Sequence, residues 1–185
     1  MPVNATNDKL GWLAPSFNLL DISDNYVSLD QLKGDNGTVI AFICNHCPYV
    51  IAIAERLSFE AKELKKLSIN LIAIMSNDVE QYPEDSFDKM KLFAKKYDFE
   101  FSYLYDETQE VAKSYGAVCT PDIFGFNSSL ELMYRGRIDS GVMNSDTKKI
   151  NRELFFAMNK IKNEGVGPKD QLNSFGCSIK WKTNE

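Results

Sequence analysis

The chain is 185 residues long, 44% of them hydrophobic and 25% charged, with a formal net charge of -5. That is enough chain for one packed core, and the acidic balance argues against non-specific nucleic-acid binding, which calls for a basic patch. No run of about 18 apolar residues occurs, so neither a membrane-spanning helix nor a membrane partner is expected.

The opening stretch MPVNATNDKLGWLAPSF has no basic segment and no apolar segment of signal-peptide type, and a cytoplasmic location of bacterial kind is expected. Phe17–Leu20 and Tyr26–Ser28 predict a small N-terminal hairpin. After the turn residues Gly34-Asp35-Asn36-Gly37, the apolar run Thr38–Cys44 predicts a buried strand. Pro48 then opens a helix to about Lys66, with Ala52, Leu57, Ala61 and Leu64 at helical spacing. Ile69–Ser76 predicts a second buried strand, Asp85–Lys96 a helix, Phe101–Tyr105 a short strand, and Thr108–Tyr115 a short helix ended by Gly116. Pro121–Phe126 and Leu130–Arg137 predict a hairpin. A last helix is expected from Ser145 or Asp146 to about Asn163, followed by an irregular tail over Gly165–Glu185. The expected architecture is one α/β domain over residues 1–185, a mixed central sheet flanked by helices.

The four cysteines, Cys44, Cys47, Cys119 and Cys177, are too few for a disulfide-stapled scaffold. In a reducing compartment they rest as thiols, and a close pair there is catalytic or metal-binding more often than structural. Cys44-Asn45-His46-Cys47-Pro48 sits where a buried strand hands over to a helix. A helix N-terminus offers unpaired N–H groups and a partial positive charge, both of which favour a thiolate. Two cysteines three apart can attack a disulfide and resolve the mixed disulfide in turn. His46, the chain's one histidine, either tunes a neighbouring thiol or stands exposed beside it. No second ligand pair follows at zinc spacing and no phosphate-binding glycine loop is present, so no metal and no cofactor are expected.

With Cys44-x-x-Cys47-Pro48 at the strand-to-helix handover and Thr120-Pro121 opening a later hairpin, the chain resembles the thioredoxin superfamily. Asp106-Glu107-Thr108-Gln109 and Tyr134-Arg135-Gly136-Arg137-Ile138-Asp139 resemble its redoxin branch, which holds peroxiredoxin-like and thioredoxin-like proteins. Cys44–Val50 together with Gly176–Trp181 resembles a bacterial group of redoxin-domain proteins. The resemblance implies a thioredoxin-like fold and a cis Pro121 beside the active-site cysteines, with Thr120 presenting its backbone to a bound substrate segment.

Two departures bear on the chemistry. The strand entering the motif has no Asp or Glu to act as the buried proton shuttle of thioredoxins, and Cys44 stands where peroxiredoxins carry a Thr or Ser. The expected function is thiol–disulfide exchange on a protein or small-molecule disulfide, renewed by a reductant the sequence does not specify. Cys47 is favoured as the attacker, because Pro48 at the first helical position makes it the N-cap, and Cys44 as the resolver. A thiol peroxidase using Cys47, and a non-enzymatic partner- or metal-binding module, are the alternatives. Cys119 reads as a small buried thiol or a resolving one, and Cys177 as a resolving thiol or a packing residue. Arg135 and Arg137 read as strand-surface charge, with polarising a peroxide or steadying a thiolate as the alternative.

Overall fold

The computed structural model describes residues 2–5, 10–141 and 150–183. In chain order the elements are β1 (Pro2–Asn4), β2 (Asn18–Asp21), β3 (Tyr26–Ser28), α1 (Leu29–Leu32), β4 (Gly37–Phe42), α2 (Pro48–Lys65) and β5 (Ile69–Met75). A 3₁₀ turn (Pro83–Asp85), α3 (Phe87–Lys96), β6 (Ser102–Tyr105), α4 (Glu110–Tyr115) and β7 (Cys119–Thr120) follow. The chain then forms β8 (Asp122–Phe126), β9 (Leu132–Gly136), α5 (Glu153–Glu164) and β10 (Phe175–Ser178).

Seven strands form the main sheet in the order β3-β2-β6-β5-β4-β8-β9. β4, β5 and β6 run parallel, while β2 and β8 lie antiparallel beside them. Every residue of β4 is buried, as a parallel strand covered on both faces requires. Alternate residues serve opposite cores. Val39, Ala41 and Ile43 pack with Val50, Leu57 and Leu64 of α2 and with Leu154 and Met158 of α5. Ile40 and Phe42 pack instead with Ala112 and Tyr115 of α4 and with Phe124 and Phe126 of β8. The aromatics Phe93, Tyr97, Phe99 and Tyr103 form a chain of ring contacts, at 4.7 Å between Phe93 and Tyr97 and 6.0 Å between Phe99 and Tyr103. This mixed sheet with helices on both faces is a thioredoxin-like fold, with an added N-terminal strand and C-terminal elements.

Three expectations change. The tail is not irregular throughout: Phe175–Ser178 is a strand that pairs antiparallel with both β1 and β7. The helix start placed at Ser145 or Asp146 lies outside the described residues, and the described helix begins at Glu153, after Ile150, Asn151 and Arg152 in non-helical backbone. Arg135 is not surface charge. It is 2% exposed, bonded to Asp122 at 3.0 Å and to the Gly116 carbonyl at 2.7 Å, with its guanidinium 4.5 Å from the Phe124 ring centre. A β-strand pattern cannot report this, because the partner charge is buried on the neighbouring strand. Arg137 keeps a half-exposed position and bonds both oxygens of Glu153 at 2.7 Å.

Candidate redox site

The site forms at the C-terminal end of β4, where the crevice of an open α/β sheet lies. The register Phe42↔Asp122 sets the start of β8 beside the end of β4. Thr120 and Pro121, which precede Asp122, therefore meet the chain as it leaves Phe42 for Cys44 and Cys47. The Thr120–Pro121 peptide is cis. Cys44 Sγ lies 3.4 Å from Thr120 Oγ1, and Cys47 Sγ lies 3.2 Å from the Thr120 carbonyl oxygen. All four cysteines are free thiols; Cys44, Cys47 and Cys119 are buried and Cys177 is half-buried.

Cys47 is the N-cap of α2, with Pro48 at the first helical position. As a thiol it donates to the Thr120 carbonyl. As a thiolate it accepts instead from the Cys44 thiol, the Cys177 thiol and the backbone N–H groups of Val50 and Cys177. The donors, led by Cys44, prevail over burial, which opposes ionisation, and lower the Cys47 pKa to about 4. Cys44 moves the opposite way, raised first by its bond to Cys47, then by burial and by the charge of Asp85. The bond given to Cys47 also contributes to raising Cys177 to about 11, after burial.

Asp85 is the residue the sequence did not single out. It is fully buried and takes four hydrogen bonds: from Asn45 N at 2.7 Å, His46 N at 3.3 Å, His46 Nδ1 at 2.7 Å and Asn77 Nδ2 at 2.8 Å. It thereby fixes the loop between the two cysteines, and Asn45 Oδ1 is held in turn by Tyr103 OH at 2.9 Å. His46 stacks parallel on Tyr82 at 5.5 Å, and the bond to Asp85 raises its pKa. A buried carboxylate thus does serve the motif, delivered by the 3₁₀ turn rather than by the entering strand. The only sequence signal for it was an acidic residue following Pro83 at a helix start.

The remaining candidates divide. Cys177, on β10, is brought to Cys47. Cys119 points elsewhere: its thiol donates to the Pro121 carbonyl at 3.5 Å, and burial pushes its pKa up. Among the described residues, Cys44, His46 and Asp85 place a sulfur, a ring nitrogen and a carboxylate oxygen within 4.8 Å of one another. That set has the donor types for a metal ion, yet both Asp85 oxygens and His46 Nδ1 are already joined in the hydrogen bonds above.

Residues 10–156 match the model of the AhpC/TSA family. The chain belongs to that family. The AhpC/TSA match covers β2 through β9, and so both cysteines of the motif and the Thr120-Pro121 turn. Over its whole length the chain is similar to an uncharacterized conserved protein from Geobacillus kaustophilus, at 42% identity and a TM-score of 0.93, covering 100% of this chain and 98% of that one. It is also similar to a hypothetical protein from Sinorhizobium meliloti 1021, at 32% identity and a TM-score of 0.92, covering 98% and 99%. Peroxiredoxin Q, chloroplastic, from Oryza sativa subsp. japonica is 32% identical over 117 residues, 62% of this chain and 48% of that protein. The chain therefore spans about half the length of the curated relatives it matches. Among the described residues, no helix of this AhpC/TSA protein is long and apolar enough to cross a membrane.

Proposed function

We propose that this protein is a thiol–disulfide oxidoreductase in which Cys47 attacks, Cys44 resolves, and Thr120 and Pro121 shape the approach to them. The observation that carries the reading is the set of donors gathered on one sulfur: Cys47 caps a helix and holds a pKa of about 4, while the thiol three residues earlier stays protonated. The Cys47 thiolate attacks one sulfur of a substrate disulfide, forming a mixed disulfide and releasing one substrate thiolate. Cys44 then gives its proton to solvent or to the departing group and attacks Cys47 Sγ. The Cys44–Cys47 disulfide forms and the second substrate thiolate leaves, so the substrate gains two electrons and the protein pair loses two. A separate dithiol restores the pair. His46, kept cationic over a wider pH range by Asp85, and the Cys47 anion favour each other's charged forms.

Disulfide reduction by the purified protein, with Cys44 and Cys47 each changed to Ser, tests this. The Cys47→Ser variant loses the first step, and the Cys44→Ser variant accumulates the mixed disulfide on Cys47. Turnover by Cys47→Ser at the rate of the intact protein defeats the reading.

Thiol peroxidase activity is the second reading, supported by the complete burial of Cys47 beneath β10, which suits a small oxidant, and by the match to a peroxiredoxin. The Cys47 thiolate then takes one oxygen from a hydroperoxide, breaking the O–O bond and forming a sulfenic acid. Cys44 or Cys177 condenses with it to a disulfide, losing water. Peroxide consumption by the same variants distinguishes the two.

A further inference from the structure

Two residues of β7 form the edge that borders the sulfurs, and that edge is already taken. Cys177 lies opposite Thr120, and Ser178 opposite Cys119, in antiparallel register. One residue further, Ile179 N donates to the Val118 carbonyl at 3.1 Å. The fit is close: a Cβ on Gly176 meets the Thr120 carbonyl oxygen at 2.0 Å and Pro121 Cδ at 3.1 Å, so only glycine lets β10 lie this near. On its far side β10 is held by β1, with Pro2 opposite Cys177.

The chain beyond β10 is clamped as well. Lys180 O accepts from Asp78 N and from Gln109 Nε2, each at 2.8 Å. Lys180 N donates to Asn77 Oδ1 at 2.9 Å, and Lys182 N to Gln109 Oε1 at 2.8 Å. Ile179 is buried among the aromatics of the second core. Gln109, itself buried, serves the tail from both ends of its amide.

A disulfide inside a polypeptide arrives with backbone on both sides of its sulfur. To reach Cys47 along Thr120 it needs the edge that β10 fills. A small disulfide needs no such pairing. A cavity of about 440 Å³, within the size range of small-molecule sites, opens beside Pro121 with mostly apolar walls that include Tyr49, Ile53, Ile138 and Phe175.

We infer that β10 is a built-in strand that reserves the Thr120 edge, so that the site takes low-molecular-weight disulfides and excludes extended protein disulfides. The inference rests on the thiol–disulfide reading above. The same two-step exchange applies, with the small disulfide leaving as two thiols.

The test compares rates with bis(2-hydroxyethyl) disulfide and with insulin for the intact protein, Gly176→Val and Gln109→Ala. Both variants are first checked for folding by thermal melting, and for release of β10 by hydrogen exchange at the amides of residues 177–179. Losing one or two of the hydrogen bonds that seat β10 and the tail, between backbones in Gly176→Val and from the side-chain amide in Gln109→Ala, shifts an opening equilibrium by about tenfold. The insulin rate, relative to the small-disulfide rate, is therefore expected to rise by about tenfold or more in the variants. Gln109 holds the tail at Lys180 and Lys182, beyond β10, and keeps the test alive if Gly176→Val fails to fold. Comparable rates for both substrates in the intact protein overturn the inference, as does an unchanged ratio in a variant whose β10 amides exchange faster. Small-disulfide turnover no faster than that of Cys47→Ser instead removes the underlying thiol reading and the inference with it, an outcome distinct from a flat ratio with the small-disulfide reaction intact.

Discussion

Replacing Cys44 with alanine removes the leading donor to the Cys47 anion. A hydrogen bond to a charged group contributes about 1.5–3 kcal/mol, and one pKa step corresponds to about 1.36 kcal/mol. The Cys47 midpoint, about 4 in the intact protein, is therefore expected to rise to about 5–6 in Cys44→Ala. Cys177→Ala is expected to raise it less, because Cys177 contributes less than Cys44 to holding the anion. Ultraviolet absorbance of the thiolate, followed from about pH 3 to 9, reads the midpoint directly. The window is clean for thiols: Cys44 and Cys119 are raised, and Cys177 sits at about 11, so Cys47 is the one cysteine that ionises within it. Absorbance also avoids the access problem that burial creates for alkylating reagents, whose rate is multiplied by the opening of β10. A midpoint near 8.5, the ordinary thiol value, in the intact protein refutes the reasoning, and so does a midpoint that fails to rise in Cys44→Ala.

Asp85→Asn is expected to lower the His46 pKa toward its ordinary value, since the hydrogen bond to Asp85 is the leading cause of its elevation. With one histidine in the chain, its imidazole NMR signals titrate without ambiguity, and an unchanged midpoint contradicts the pairing. Arg135→Leu is expected to cost about 3–5 kcal/mol in urea unfolding at neutral pH, because it strands the buried Asp122 carboxylate. Burial raises Asp122 even with Arg135 holding it down, so without Arg135 the folded state's preference for the proton over the unfolded chain's grows further. The deficit should then shrink as pH falls; a deficit that grows on acidification counts against it.

Where one strand or helix carries its own pattern, the sequence was enough to read it. The unbroken apolar runs of β4 and β5 belong to strands buried on both faces, and the proline after Cys47 marked the helix start within one residue. The cysteine pair was readable for the same reason, since its motif is local, whereas the place of Thr120-Pro121 beside it followed only from the resemblance to the thioredoxin superfamily. Asp85 was not. It meets Asn45 from 40 residues away, and in sequence it looked like any acidic residue opening a helix. β10 was missed because Phe175-Gly176-Cys177-Ser178 has weak strand propensity. Its partners lie some 60 residues earlier in β7 and at the chain's beginning in β1. Arg135 was misread because alternation along β9 says which face a side chain takes, not whether a buried countercharge waits there.

Asn77 shows how far these long-range pieces depend on one another. It follows β5 at the same end of the sheet as the cysteines, and it is buried. Its Nδ2 donates to Asp85 Oδ2 at 2.8 Å, while its Oδ1 accepts from Lys180 N at 2.9 Å. One amide therefore joins the carboxylate that orients His46 to the segment that anchors β10. An amide side chain suits this place because it offers a donor and an acceptor about its own short stem. Aspartate in its stead presents two acceptors, which turns the Asp85 contact into a meeting of two carboxylates. Leucine leaves Asp85 and the Lys180 N–H each short of a partner in a buried setting, where an unmet polar group is costly. The network continues through Ser76, whose carbonyl takes Gln109 Nε2 at 2.7 Å and whose hydroxyl donates to Asp106 at 2.9 Å. The ends of the parallel strands thus carry a buried polar layer that joins the cysteine loop to the tail through hydrogen bonds. This is why the cover over Cys47 belongs to the same unit as the groups that tune it, and is not an appended segment.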